Sequence, residues 1–333
     1  MPAGITSIFT AWSELAATTF RKHDTQVADN VSKHNLFYRK LSAKGRIRME
    51  DGGLSLVMPL EYASNSTYQR YSGFDTLNIA AVDVLTAAEF PWQQVAVNIA
   101  ASGRELRTNM GESRIINFTK AKIRNGMNSF KNGMSTDIYS DGTAANQING
   151  VQALIADAGT GTVGQINSGT FPFWQNIVQS AAAPLQGGSA LTLGPSTIEA
   201  LMLTLYIKLT RGDDQPDLIG ASDDLFTFFE QSQTSLKRYT STSGGDAESD
   251  ATAGFVTMKY KNADVFFDSS GGLPAQHMYF VNTDYFELGV HRDANMTVMD
   301  ELRSVNQDAV VIPVLWMGNL LCSNRSLQGV LKT

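Results

Sequence analysis

An α+β fold follows from three features of this 333-residue chain. One segment, Glu112 to Asp141, has the apolar spacing of a single long helix. The sequence before it is extended and rich in turn residues. The sequence after it alternates short helical and strand patterns, as a compact α/β region does.

In the long segment, Ile116, Ile123, Met127, Phe130, Met134 and Ile138 recur at steps of three, four or seven. That spacing puts them on one stripe of a 3.6-residue helix. No proline interrupts it, Asn109 or Ser113 can cap its start, and Asp141-Gly142 supplies a stop. At about 1.5 Å per residue the helix would run roughly 40 Å. Two features are unusual. Gly126 and Gly133 lie seven apart on a face that overlaps the stripe. Each costs up to ~1 kcal/mol against alanine, and close approach of another backbone is the expected compensation. Lys120, Lys122, Arg124 and Lys131 have no acidic partner within the helix body. The helix reads either as a core helix with a solvated basic edge or as a scaffold rod. In the second reading Lys120, Arg124, Gly126 and Gly133 meet other subunits.

From the N-terminus, residues 1–40 hold an amphipathic segment, Ile5 to Phe20, with Ile8, Trp12, Leu15 and Phe20 facing one side, then a polar basic stretch. The segment is too isolated to build a core, so it is expected to lie as an arm on another surface, with Trp12 in the contact. Residues 41–75 read as a long hairpin. Gly45 to Met49 alternates, Asp51-Gly52-Gly53 is a turn signal, Leu54 to Met58 returns, and Pro59 marks an edge or an end of pairing. A polar, aromatic run with Tyr62, Tyr68, Tyr71 and Phe74 follows. An isolated two-stranded ribbon is marginal in water. It therefore implies a partner surface, met through Arg46, Arg48, Leu56, Tyr68 and Tyr71.

Leu77 to Leu85 and Trp92 to Ile99 read as strands. Behind the long helix, Gly150 to Ala158 is a short apolar segment, Gly159 to Gly169 a flexible loop and Phe173 to Ala183 a helix. Ser196-Thr197-Ile198-Glu199 has the form of a capping box, followed by a helical stripe of Ile198, Leu201, Met202, Leu205 and Leu209. Asp217 to Gly220 reads as a strand, Asp224 to Leu236 as a helix and Thr240 to Ala253 as a mobile loop. Phe255 to Tyr260, Val265 to Phe267 and Met278 to Asn282 read as strands, so residues 150–280 contain a small α/β sandwich. Val310 to Leu315 and Asn319 to Ser323 are two further strands, expected to return beside the long helix.

Charged residues make up 17% of the chain, against the usual quarter, which suggests a surface partly covered by partners. The net charge of -6 argues against a dedicated nucleic-acid binder. The charge is split: residues 1–140 carry 16 Lys and Arg against 12 Asp and Glu, and the remainder 10 against 20. Opposite signs on two parts of one chain suit self-association. Cys322 is the sole cysteine, so no intrachain disulfide can form. No signal peptide or membrane-spanning run is evident, and the expected setting is a reducing cytosol.

No motif assembles a catalytic, cofactor or metal site. Gly159-Thr160-Gly161-Thr162-Val163-Gly164 matches G-x-G-x-x-G but lacks a helix start behind it and an acid about 20 residues on. Arg211-Gly212-Asp213 sits at a helix end, where glycine is an ordinary cap. The aspartates near 213–224 lack calcium-loop spacing, and the four histidines lack zinc spacing.

The order of arm, hairpin, long helix ending in Ile138-Tyr139-Ser140-Asp141-Gly142-Thr143 and α/β region is familiar. With Trp92 to Asn109 and the closing Gly318-Asn319-Leu320-Leu321-Cys322-Ser323-Asn324-Arg325, it resembles the major capsid proteins of tailed bacteriophages, of the Hong Kong 97-type fold, and among them those of podophages such as the Bordetella-infecting type. The resemblance spans nearly the whole chain. It implies an N-terminal arm at 1–40, an E-loop hairpin at 41–75, and a P domain at 76–149 with its spine helix at 112–141. It also implies an A domain at 150–280 and return strands at 281–333. The implied function is a virion shell subunit, assembled in the host cytoplasm as hexamers and pentamers of itself. Scaffold, portal and cement proteins are the implied partners, with DNA enclosed without sequence-specific binding. A nanocompartment shell of the encapsulin kind is the alternative, and an α/β enzyme the third reading.

Overall fold

The structure is a computed structural model that describes residues 35–80, 82–108, 112–233, 257–268, 272–303 and 307–333; for 112–119 and 257 it describes the backbone alone. Ile5 to Phe20 with Trp12, Asn109 as a cap and the Thr240 to Ala253 loop lie outside the described residues.

The first element among the described residues is a helix, α1 (Leu36–Ala43), whose first turn is closed by the Asn35 side chain accepting from the Tyr38 amide at 3.0 Å. Leu36, Phe37 and Leu41 are buried, and Phe37 stands edge-on to Phe286 at 5.6 Å. The end of the expected arm is therefore core: three apolar residues at helical spacing bury more surface there than on any outside contact.

Strand β1 (Ile47–Glu50) is followed by β2 (Ser55–Glu61), but the two do not pair. β1 runs parallel to β12 (Phe286–Val298), with Ile47 opposite Leu288. β2 pairs antiparallel with β3 (Leu85–Pro91), from Ser55 opposite Pro91 to Glu61 opposite Leu85. The hairpin expected at 41–75 is thus corrected to a ribbon of 55–61 and 85–91. The reason is burial: Leu56, Met58 and Leu60 alternate inward with Ala88 and Phe90 into one core, and this outweighs the local turn signal at Asp51-Gly52-Gly53. Of Leu77 to Leu85, expected as one strand, Leu85 opens β3 and the described residues before it form no strand.

Strand β4 (Gln93–Ser102) enters a five-stranded sheet ordered β1-β12-β14-β13, with β4 along the other side of β14 (Ala309–Cys322) and β13 spanning Leu302–Arg303. β14 is one apolar, largely buried strand where two were expected; pairing with β4 from Ala309 to Gly318 and with β12 from Val314 to Cys322 keeps it extended throughout. A short helix α2 (Gly103–Thr108) leads to α3 (Glu112–Asp137). The long helix stops four residues before the expected Asp141. Tyr139 and Ser140 donate to carbonyls three residues back, closing it with a tightened turn. Its stripe packs as predicted from Ile123 to Ile138. Ile123 and Met127 meet Ile99, Val310, Ile312 and Val314, while Phe130, Met134 and Ile138 enter the larger core with α1 and the ribbon.

After a single turn, α4 (Val151–Leu154), a tight hairpin joins β5 (Thr162–Val163) to β6 (Ile166–Asn167). Phe173 to Ala183, expected as helix, is instead a 3-10 turn Pro172–Trp174 and a strand β7 (Ile177–Ser180). Pro172 opens the short turn at the position where proline is favoured, and β-branched Ile177 and Val178 then suit a strand. β7 opens a six-stranded sheet ordered β7-β15-β11-β8-β10-β9. Its other members are β8 (Leu218–Ala221), β9 (Thr257–Tyr260), β10 (Ala263–Phe267), β11 (His277–Val281) and β15 (Gly329–Lys332). Helices α5 (Ile198–Leu209) and α6 (Asp223–Ser232) share one core with this sheet. The C-terminal strand β15 therefore joins this second sheet and does not return to the long helix, because its buried Val330 and Leu331 fill the slot between β7 and β11. The capping box is not formed. Thr197, not Ser196, precedes α5 and caps nothing, while Glu199 is drawn to Gln233 and Ser232 at the end of α6.

Candidate assembly surface

The ribbon of β2 and β3 is seated on the body, and the chain between its strands projects from it. Tyr62 donates to the Val84 carbonyl at 3.0 Å, closing the neck. Beyond the neck, Tyr68 is 84% exposed, Tyr71 67%, Phe74 107%, Leu77 53% and Ile79 91%. Five large apolar side chains in one loop, nearly all in water, mark a contact surface. The loop has a set shape: Gln69 donates to the Thr76 carbonyl and accepts from the Asn78 amide across it, Asn65 accepts from Thr67, and Asp75 from the Ser72 amide. A loop this long without strand or helix in a folded body is usually a binding element.

The root is built from several directions. Gly164 and Gln165 both have positive φ, 58° and 62°, the geometry of a two-residue hairpin turn. The Glu89 amide donates to Gly164 at 3.1 Å, and a Cβ on Gly164 would fall 2.8 Å from that of Ala88. The glycine-rich G-x-G-x-x-G segment is thus an ordered hairpin clamped on the ribbon, not a flexible loop. Behind it Trp174 donates from its indole to Val163 at 2.9 Å, and Tyr62 stacks on Phe173 at 5.2 Å. Buried Asn319 donates to the Pro91 carbonyl at 2.8 Å and accepts from the Asn149 and Leu320 amides. Leu60, Tyr62, Phe173, Asn176 and Arg211 border an open cleft of about 410 Å³ beside this root.

The residues expected at the surface divide into groups. Tyr68 and Tyr71 are on the projecting loop, and Lys120 and Arg124 are exposed on α3. Leu56 is corrected: it is 2% exposed and faces the core of its own chain. Arg46 and Arg48 are engaged within the chain, Arg46 with Asp284 and Glu287 and Arg48 with Glu50 and Glu287. Gly126 does meet a close neighbour, since a Cβ there would lie 2.9 Å from Ile99. Among the described residues outside its own helical turn, none comes within 4 Å of a Cβ built at Gly133, so it stays open to the contact with other subunits expected of it. Lys122 pairs with Glu105 of α2 at 3.4 Å. Phe74, Leu77 and Ile79 are the additions. Phe74 stood in the aromatic run, while the other two were hidden by a strand reading. Leu203 and Ile207 on the outer side of α5 are also exposed, and a helix apolar on nearly every side is the signal that marks them.

The motifs weighed as chemical sites have structural roles. Asp217 accepts from Thr283 and pairs with Lys44, and Asp214 accepts from the Tyr285 hydroxyl. Arg211 and Asp214 close a turn through Gly212. Burial pushes the Cys322 thiol up to about 12.

No protein-family model matches the sequence, and no curated protein does. Solved structures match over most of their length. A subunit from the cyanophage A-1(L) capsid asymmetric unit aligns with a TM-score of 0.63 at 16% identity, covering 86% of this chain and 90% of that one. The chain has the fold of phage capsid subunits. A subunit from the capsid of a native GTA particle aligns at a TM-score of 0.54 with 12% identity, over 87% of this chain and 89% of that one. A subunit from the capsid of Myoviridae phage XM1 aligns at 0.52 with 10% identity, over 88% and 91%. The α+β architecture is therefore that of a capsid fold.

Proposed function

We propose that this chain is the major capsid protein of a tailed phage, of the Hong Kong 97 type, and that copies of it build the icosahedral head around double-stranded DNA. The observation that carries the reading is the projecting loop of residues 62–84 on a body with a capsid fold. Among the described residues nothing of its own chain covers its large side chains, and a neighbouring molecule would bury them. Each large apolar side chain buried there contributes roughly 1.5–3 kcal/mol, and a shell repeats the contact at every subunit.

In this reading the ribbon and its loop are the E-loop, reaching over a neighbouring subunit. The five-stranded sheet and α3 are the P domain. The six-stranded sheet with α5 and α6 is the A domain, gathered about the five- and six-fold axes with the exposed Leu203 and Ile207 on its flank. The exposed Lys120 and Arg124 face acidic surface on other subunits, in keeping with the charge split. Scaffold, portal and cement proteins are the further partners, assembly takes place in the host cytoplasm and the mature location is the virion. The nanocompartment alternative stands second, because the solved structures reported above as similar come from phage and GTA capsids.

Electron microscopy of the purified protein, with mass from light scattering, tests the reading: closed shells are expected. The variant Tyr68→Ser/Tyr71→Ser/Phe74→Ser should keep the circular-dichroism spectrum of the folded subunit and form no shells. Normal particles from that variant would remove the loop from assembly, and a wild-type protein that stays a monomer under all assembly conditions would end the proposal.

A further inference from the structure

Between α1 and α3 runs an apolar groove of about 290 Å³. Tyr38 and Ser42, one turn apart on α1, form one wall, and Phe130 and Met134, one turn apart on α3, form the other. The floor is sheet, with Met49, Met296 and Trp316 among its side chains. Met49 at the rim is 44% exposed. Methionine and aromatic rings around an open trough make a surface that adapts to an apolar guest.

We propose that the occupant of this groove is the N-terminal segment Ile5 to Phe20 of the same chain, with Trp12 as its anchor. The place where the described chain begins supports this. Asn35 is pinned to the groove wall, its amide donating to the Ser135 hydroxyl at 3.2 Å, and Ser135 directly follows Met134. The fifteen residues from Phe20 to Asn35 can span up to about 50 Å, so the segment reaches the trough without leaving its own subunit. A tether this short gives it a high effective concentration there. The pattern supports it as well. Ile5, Ile8, Trp12 and Leu15 recur at three, four and three, the spacing of an amphipathic helix laid in a groove.

Charge agrees with the fit. Glu14 is the single charged residue between Ile5 and Phe20, so the segment brings little charge to a trough whose lining has no charged side chain. The docking is independent of the shell proposal, since it needs only one subunit.

Cross-linking tests it. Two variants, Trp12→Cys/Met49→Cys and Trp12→Cys/Ser42→Cys, are oxidised mildly in the full-length protein, where buried Cys322 stays out of the reaction. Non-reducing gels then report the product. An intrachain bond, seen as a compacted monomer band in at least one variant and absent from Trp12→Cys/Leu77→Cys, is the expected result. A ladder of dimers and higher species would show that a second copy fills the groove and would overturn the assignment to the same chain. Failure of both pairs to cross-link, with the subunit folded by circular dichroism, would overturn the docking itself.

Discussion

At the scale of single residues, Arg325 carries the largest burden. It is fully buried, and its guanidinium donates to the Leu154 carbonyl at 2.7 Å, the Trp174 carbonyl at 3.1 Å and Asn176 Oδ1 at 2.9 Å. Burial lowers its pKa to about 10. It joins α4, the 3-10 turn and the start of β7 through one side chain, in place of a carboxylate partner. Arg325→Met should destabilise the unassembled subunit by roughly 2–4 kcal/mol, because the Leu154 and Trp174 carbonyls lose their donor in a buried site and Asn176 Oδ1 keeps only the Ala156 amide. Arg325→Lys should recover only part of this, since an ammonium cannot reproduce the planar fork. Urea denaturation of the subunit measures both. The sequence places Arg325 in the closing Gly318 to Arg325 segment but gives no hint of its burial. A lone arginine between serines and asparagines has the composition of a surface turn, and its acceptors lie about 150 residues or more away in sequence.

At the scale of elements, the two glycines of α3 separate cleanly. Gly126→Leu should cost about 1–3 kcal/mol, because Ile99 already occupies the space. Gly133→Ala should instead raise the subunit's stability by up to ~1 kcal/mol, the helix-propensity gain at an open position. Thermal melts read both, and a loss at Gly133 would show that something covers that face. Elements whose signal is local were legible: the stripes of α3 and α5 pack as their spacing requires. Elements defined by distant partners were not. β1 finds β12 more than 230 residues away, and β2 finds β3 across a loop. The turn signal between them favoured the nearer pairing, since nothing in a short alternating run names its partner.

At the scale of the whole molecule, ion pairs tie α1 and the turn behind it to the rest of the body. Burial works against ionisation of Asp264, but the hydrogen bond and charge of Lys40, with Lys259, hold its carboxyl below the usual range. The hydrogen bond from Lys44, opposed by burial and helped by the charge of Arg46, does the same for Asp284. Depressed carboxylates stabilise the fold fully above their unfolded pKa, near 4, and the contribution is lost as pH falls through the lower folded values. Melting temperature should therefore be level above about pH 5 and fall below about pH 4. In Asp264→Asn the gap to wild type should narrow on the acid side. A gap that stays constant down to pH 2 would mean these pairs carry none of the acid sensitivity. The broad plan at this scale, a long helix with extended chain before it and α/β structure behind, was legible from composition shifts and periodicity. The C-terminal strand was not, because four apolar-flavoured residues fit either sheet and only the gap between β7 and β11 decides.

The root of the projecting loop is a broad footing. Asn319 grips the Pro91 carbonyl at the base of the ribbon and, with its other end, the Asn149 amide behind the long helix. Nearer the neck, the Gly164 carbonyl takes the Glu89 amide and Phe173 stacks on Tyr62. A load on Phe74 or Ile79 is therefore shared among separate anchors, and the outermost point of the molecule keeps a fixed bearing on its body.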